Sequence, residues 1–433
     1  MRPDLVWDGA AAHDGWAVGV VDGRVAAVGP ESDVARILGP GVATRRLDGR
    51  ALLAAPVNAH SHAFQRAIRG RTQWRPAGDD VSDFWTWREE MYEVAASLEP
   101  EDLFRISRAC FAEMRAAGWG SVGEFHYLHR TPDGRRYDDP VLLSHVVIEA
   151  AREVGLPICL LYAVYATAGV AGDPVEPRQR RFRTDSVDEA LSNIEILRSR
   201  WAHDPGVDVG LAPHSIRAVP AAWWGELADA AETLDLPLHA HVSEQRAEVE
   251  ACLALRGKRP VEWLADLGVL SERFTAIHAT HVTAGEVGLL AEAGARVCAC
   301  PSTERDLGDG VFPGDRFHDA GVPICLGSDS QTLLDPWEEL RLPEYHLRLV
   351  HERRVVMGET DGDRVRWAPQ ALRAATAVGG DALRTGGGRL EPGAPAWLVS
   401  VDLEHPVFEG GRPSEFAELL AVAGRAGLAE PLS

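Results

Sequence analysis

Residues 236–244, LPLHAHVSE, begin apolar and end polar, with histidines at 239 and 241 and a glutamate at 244. The stretch reads as a buried strand whose C-terminal end opens onto polar chemistry. The same design recurs on both sides of it. Before it stand ALLAAPVNAHSH (51–62), WGSVGEFHY (119–127), GLPICLLYAVYA (155–166) and VDVGLAPHS (207–215). After it stand RFTAIHATH (273–281), RVCACPST (296–303) and PICLGSDS (323–330). Intervening segments such as EDLFRISRACFAEMRAAG (101–118) and TAGEVGLLAEAG (283–294) carry apolar residues at helical spacing. Eight strand–helix units in series are what a closed parallel barrel requires, so an α/β fold, a (β/α)8 TIM-type barrel, is expected. A doubly wound open sheet is the alternative, but no GxGxxG follows the first strand.

Outside this series the chain reads as short strands. WAVGVVDGRVAAVGP (16–30) is two apolar runs joined by Asp22-Gly23, a tight-hairpin signal. APAWLVSVDL (394–403) is a further strand, after the glycine-rich break TGGGRL (385–390). The expected organisation is a discontinuous small β-sandwich domain, 1–55 with 386–433, beside a barrel over 56–385.

The 433 residues carry a net charge of −21, the sign of phosphate, which argues against a nucleic-acid partner. No apolar run approaches the ~18 residues of a membrane span, so no membrane partner is expected. The N-terminal MRPDLVWDGAAAHDG lacks a basic start and apolar stretch, and the cytoplasm is the expected compartment. Six cysteines do not make a disulfide scaffold; Cys298 and Cys300, two apart on one strand face, read as core residues.

In a parallel barrel, groups at the C-terminal strand ends converge on one face. Those ends hold His60, His62, Glu124, His126, His214, His239, His241, Glu244, His278, His281 and Asp329. His60 and His62, at i and i+2 on one strand, point the same way and can reach one ion. With a histidine on the fifth strand and Asp329 ending the eighth, the set suits zinc or a neighbouring metal. Of the second HxH pair, His241 is the expected ligand because Glu244 follows it at the strand mouth, while His239 reads as a buried, hydrogen-bonded residue. His278 falls where a base could face water on the metal; His281 begins the next loop and reads as structural. Asp329 in GSDS also suits a helix N-cap, but three converging histidines favour the ligand reading.

This pattern resembles the amidohydrolase superfamily and, within it, the formimidoylglutamate deiminases. The matching stretches are NAHSHAFQRA (58–67), FWTWRE (84–89), EFHYLH (124–129), QRRF (179–182), HSIRAV (214–219), HVSEQ (241–245), HATH (278–281) and STERDLGDG (302–310). The resemblance implies one divalent metal, Zn2+ by expectation with Fe2+ or Mn2+ as alternatives, held by His60, His62, His241 and Asp329. It implies His278, Glu244 and Asp329 as the catalytic proton carriers, and Gln65, Arg88, Tyr127, His214 and Arg217 as the substrate-binding set. The implied reaction is hydrolysis of N-formimino-L-glutamate to N-formyl-L-glutamate and ammonia in histidine breakdown, by a homodimer. Gln331 departs from the pattern, standing where relatives often have His, and the C-terminal β part is shorter than usual.

Lys258, the only lysine, lies far from any strand end, so a lysine-bridged metal pair is not available. A small dicarboxylate in so acidic a chain needs local arginines, and Arg88 and Arg217 supply them. The rival substrates are a formimino-aspartate, a guanidino acid or a heterocyclic amine, the last of which would call for stacking side chains. The rival class is a metal-binding barrel without catalysis, against which the retention of Glu244 and His278 argues. The 63–82 loop is the candidate lid.

Overall fold

Eight parallel strands follow one another around a single sheet: β1 (Val57–Ser61), β2 (Ser121–His126), β3 (Ile158–Val164), β4 (Val207–Pro213), β5 (Leu238–Val242), β6 (Phe274–His278), β7 (Arg296–Ala299) and β8 (Ile324–Leu326). The end of β8 returns to β1 through a parallel bridge between Ser61 and Asp329. There Asp329 N–H donates to His60 O (3.0 Å) and His62 N–H to Asp329 O (3.1 Å). The expected α/β barrel is therefore present, and its strands are buried on both faces, which is why they read as unbroken apolar runs. This computed structural model describes residues 1–75, 77, 78 and 82–432. Of the candidate lid over 63–82, residues 76 and 79–81 lie outside the described residues; Ala63–Ile68 is a 3-10 helix.

Closure at the β8–β1 seam depends on Gly327. A Cβ there would stand 2.7 Å from His60 Cβ and 2.8 Å from His60 O, so only glycine lets the two strand ends approach so closely.

The sequence run 51–62 corresponds to two strands rather than one. Arg46–Ala54 belongs to a separate five-stranded sheet and β1 to the barrel, divided at Ala55-Pro56, where proline removes a ladder donor. That sheet runs in the order Ala429–Leu432, Leu398–Asp402, Arg46–Ala54, Arg2–Trp7, Ala12–Asp14. The two chain ends thus pair directly, Leu398–Asp402 lying antiparallel to Arg46–Ala54. The hairpin Trp16–Val21/Arg24–Pro30 turns at Asp22 (φ 49°) and Gly23 (φ 73°), the doubly positive pattern of a tight two-residue loop. Val6, Val18, Val25, Leu52 and Leu398 form its shared core.

By its contacts the chain divides into two units: Met1–Asn58 with Glu113–Ser121 and Leu334–Ser433, and Ala59–Ala112 with Val122–Leu333. Every side chain of the site described below belongs to the second. Among the described residues, no helix is long and apolar enough to cross a membrane.

Candidate active site

His60, His62, His241 and Asp329 meet at the strand mouths, one donor atom of each lying within 4.8 Å of the others, all buried. His60 Nε2 and His62 Nε2 stand 3.2 and 3.3 Å from Asp329 Oδ1. His62 Nδ1 faces Phe125 O at 2.8 Å, and His241 Nδ1 faces His214 O at 3.0 Å. Carbonyl oxygens only accept, so both Nδ1 atoms carry the hydrogen and both Nε2 atoms present lone pairs. Yet those two Nε2 atoms are only 3.3 Å apart. A cation between them would satisfy both lone pairs. Ligands 2.0–2.1 Å from a tetrahedral zinc would lie about 3.3–3.4 Å apart. Burial pushes the His60 imidazole down to about 3 and those of His62 and His241 down as well, favouring the neutral form a metal requires. Burial works against the Asp329 carboxylate, but His60, His278 and His62 hold it below the usual range. These residues fit a divalent cation.

The geometry is held by strained backbone and by a clamp behind the four-residue cluster. Ser243, His278, Ala279, Asp329 and Gln331 all have positive φ (52°, 66°, 47°, 49° and 66°), an uncommon concentration at one set of strand ends. Gln331 Nε2 donates to Ser61 Oγ (2.8 Å), and Ser61 Oγ donates to Glu124 (2.5 Å), which also accepts from Ala63 N–H (2.7 Å). Gln331 therefore lies in the β8–β1 seam, fixing the serine between His60 and His62; it is not among the cavity-lining residues.

Against this cluster lies a cavity of about 290 Å³. It is lined by Gln65, Arg88, Tyr127, His214, Arg217 and Glu244 together with His62, His241 and Asp329. His278, fully buried, stands 3.7 Å from both Glu244 Oε1 and Asp329 Oδ2 through Nε2, while its Nδ1 faces Glu304 at 3.3 Å. Burial opposes its charged form, but the surrounding carboxylates, led by Glu244 and Glu304, raise it to about 10. The His214 imidazole is held neutral by burial and by Arg217. Gln65 Nε2 donates to Tyr127 Oη (2.9 Å), leaving Gln65 Oε1 buried without a donor.

The two arginines differ. Arg217 donates to Glu244 (2.7 Å) and stands 3.3 Å from Glu248, its guanidinium over the Phe84 ring. Its charge is already matched by two carboxylates. Arg88 has no carboxylate partner among the described residues. Its guanidinium lies 4.5 Å over the Trp85 ring, and Nε is buried without an acceptor. It sits on the helix Phe84–Ser97, started by Asp83, whose carboxylate accepts from Trp85 and Thr86 N–H. The far end of that helix is fixed by Arg181, a buried arginine donating to the carbonyls of Ala95, Leu98 (2.7 Å) and Arg130 (3.0 Å).

Arg217→Ala should therefore act on stability as much as on binding. It would leave Glu244 and Glu248 buried without their counter-ion, and we expect a loss of about 3–5 kcal/mol in chemical denaturation. An unchanged midpoint would contradict this account of the triad.

The sequence profile of the Amidohydrolase family matches residues 51–426. The chain belongs to that family. Among amidohydrolase relatives, it is 37% identical to the formimidoylglutamate deiminase of Pseudomonas aeruginosa over 92% of this chain and 85% of that protein. It is 31% identical to a 5-methylthioadenosine/S-adenosylhomocysteine deaminase of Halobacterium salinarum, over 83% and 75%. Of solved structures, an amidohydrolase from Brucella melitensis superposes with a TM-score of 0.86 at 32% identity, covering 100% of this chain and 92% of its own. An adenosine deaminase from Xanthomonas campestris with bound zinc gives 0.80 at 25% identity, over 99% and 91%. This amidohydrolase is thus a hydrolase of the deaminase kind acting on a small molecule.

Of the sequence-predicted site residues, all line the cavity except His60 and His278, which are fully buried behind it beside Asp329. His239 is fully buried, and His281 donates from its backbone to Ser243 O. Lys258 pairs with Asp266 at the surface. Sequence reasoning did not find Glu304, Glu248, the Ser61 clamp or the anchoring role of Arg181. Glu304 and Arg181 fall inside the quoted stretches STERDLGDG and QRRF, but no spacing rule ties either to its partner.

Proposed function

We propose that this chain hydrolyses the formimino group of N-formimino-L-glutamate, releasing ammonia and N-formyl-L-glutamate. The observation that carries this reading is Arg88, a cavity guanidinium with no carboxylate partner among the described residues in a chain of net charge −21. A dianionic substrate supplies what that cation lacks. The 37% identity to a formimidoylglutamate deiminase supports the same choice.

A bound divalent cation, Zn2+ in our reading, makes water acidic, lowering its pKa from 15.7 to about 7. The protein does the rest. Arg88 binds a carboxylate, with Arg217, Tyr127 and His214 bordering the same space, and Gln65 Oε1 accepts a substrate N–H. Asp329 and His278 take the proton of the attacking water; a divalent cation beside Asp329 would offset the carboxylates that hold His278 charged and so free its Nε2, which Glu304 on Nδ1 aims at the water. Attack on the formimino carbon gives a tetrahedral centre bearing an amino group. Glu244, 3.7 Å from His278 Nε2, receives the proton taken from the water and delivers it to that nitrogen; the C–N bond breaks, the hydroxyl proton passes to Asp329 as the formyl C=O forms, and ammonia leaves.

A heterocyclic amine is the second reading, favoured by Trp85, Trp87 and Tyr92 in the lining and by the adenosine-type relatives. Against it, the Trp85 face is covered by Arg88 and the Phe84 face by Arg217. Ammonia release across formimino, guanidino and heterocyclic compounds decides between them. Turnover of an adenosine-type amine with none of formimino-glutamate would overturn our reading. Arg88→Met should raise KM for formimino-glutamate about 10–100-fold, the worth of a charged hydrogen bond, with kcat little changed.

A further inference from the structure

Asp329 turns its two carboxylate oxygens to different neighbours. Oδ1 faces the Nε2 atoms of His60 and His62, while Oδ2 stands 3.7 Å from His278 Nε2. Beside this pair is Cys300, a thiol with no part in the proposed reaction. One donor atom each of His278, Cys300 and Asp329 lie within 4.8 Å of one another. Cys300 and His278 are 0% exposed, Asp329 5%. His278 Nε2 is buried and has no hydrogen-bond partner among the described residues. An imidazole nitrogen without a hydrogen-bond partner, a thiol and a carboxylate oxygen converging in a buried place are a ligand set.

We propose that His278, Cys300 and Asp329 form a second cation site, specific for thiophilic divalent ions such as Cd2+ or zinc in excess. Thiolate and imidazole together favour such ions over Mg2+ or Ca2+. Donors around one zinc lie about 3.3–3.8 Å apart, so the three atoms need draw in by only about an ångström. Two cations sharing a carboxylate sit ~3.5–4 Å apart, and Asp329 offers one oxygen to each. Asp329 and Glu244 line the cavity and give an ion from solvent its route. As the metal–sulfur bond forms, the Cys300 S–H proton passes to solvent, so occupancy weakens in acid. Occupancy also claims His278 Nε2. Inhibition by excess thiophilic metal therefore follows, a consequence that rests on the proton-accepting role given to His278 above; the binding itself does not.

The test starts from protein loaded with one equivalent of Zn2+ and adds Cd2+, measuring both metals after gel filtration and the ultraviolet cadmium–thiolate absorption. We expect the wild type to keep its zinc, take one Cd2+, develop the thiolate band and lose at least tenfold in ammonia release. Cys300→Ser, with Cys300→Ala beside it, should keep zinc and activity and lose both the second equivalent and the band. Cys298→Ser should behave as wild type. A wild type that binds Cd2+ only by losing zinc, or shows no thiolate band, overturns the site whether or not the variants fold. So does a band that survives in the Cys300 variants. Band and stoichiometry without inhibition would uphold the site and overturn the role assigned to His278.

Discussion

Alanine at position 241 is expected to remove the metal and the activity together. His241 supplies a lone pair 3.3 Å from that of His62, and its ring is aimed by the His214 carbonyl. Without it, three ligands remain, and the His214 carbonyl loses its imidazole donor. Since the metal's contribution is to bring water near a pKa of 7, turnover should fall by about 10⁴-fold or more. Metal analysis after desalting, beside ammonia release, checks both halves. Chelation of the wild type should have the same effect reversibly and should lower the melting temperature, because a ligand bound only by the folded state stabilises it. A His241→Ala protein that kept a full equivalent of metal would contradict the four-residue centre.

Glu244→Gln is expected to keep the metal and lose about 10²–10⁴-fold in kcat, the usual worth of a positioned proton carrier. Glutamine preserves the shape, and its carbonyl oxygen can still accept the 2.7 Å hydrogen bond from Arg217, so the triad with Glu248 stays assembled. What it lacks is the proton for the departing nitrogen. The contrast with Arg217→Ala separates chemistry from architecture: one should change kcat at constant stability, the other stability first. Equal ammonia release by Glu244→Gln and wild type, both metal-loaded, would remove Glu244 from the mechanism.

The barrel was legible because its strands are covered on both faces and carry their polar residues at one end; LPLHAHVSE has both properties. The convergence of three histidines and an aspartate was legible because HxH on a strand and a lone aspartate after a buried run have few other uses in combination. Two kinds of feature were not. The run 51–62 looked continuous because apolar residues continue across Pro56, although hydrogen bonding assigns its halves to different sheets. Contacts made by single long side chains were also invisible. Arg217 read as a substrate cation because an arginine beside a carboxylate-binding site is the natural inference; that Glu248 also engages it depends on the path of the following helix, Arg246–Arg256. Glu304 reaches His278 across 26 residues, and Gln331 reaches Ser61 across 270, distances at which no local pattern speaks.

Arg181 gives the segment 82–98 an unusual independence. That segment begins with its own aspartate cap, carries Arg88 and the aromatic wall, and ends on carbonyls gripped by one guanidinium from the loop after β3. It is in effect a cartridge whose latch is Arg181, with the Arg178–Glu89 ion pair and the Gln179–Tyr92 hydrogen bond as further ties. If Arg88 binds the substrate as proposed, transplanting those seventeen or so residues from a relative of different taste is expected to exchange selectivity for the far end of the substrate, leaving the reactive centre alone, provided the recipient keeps its latch.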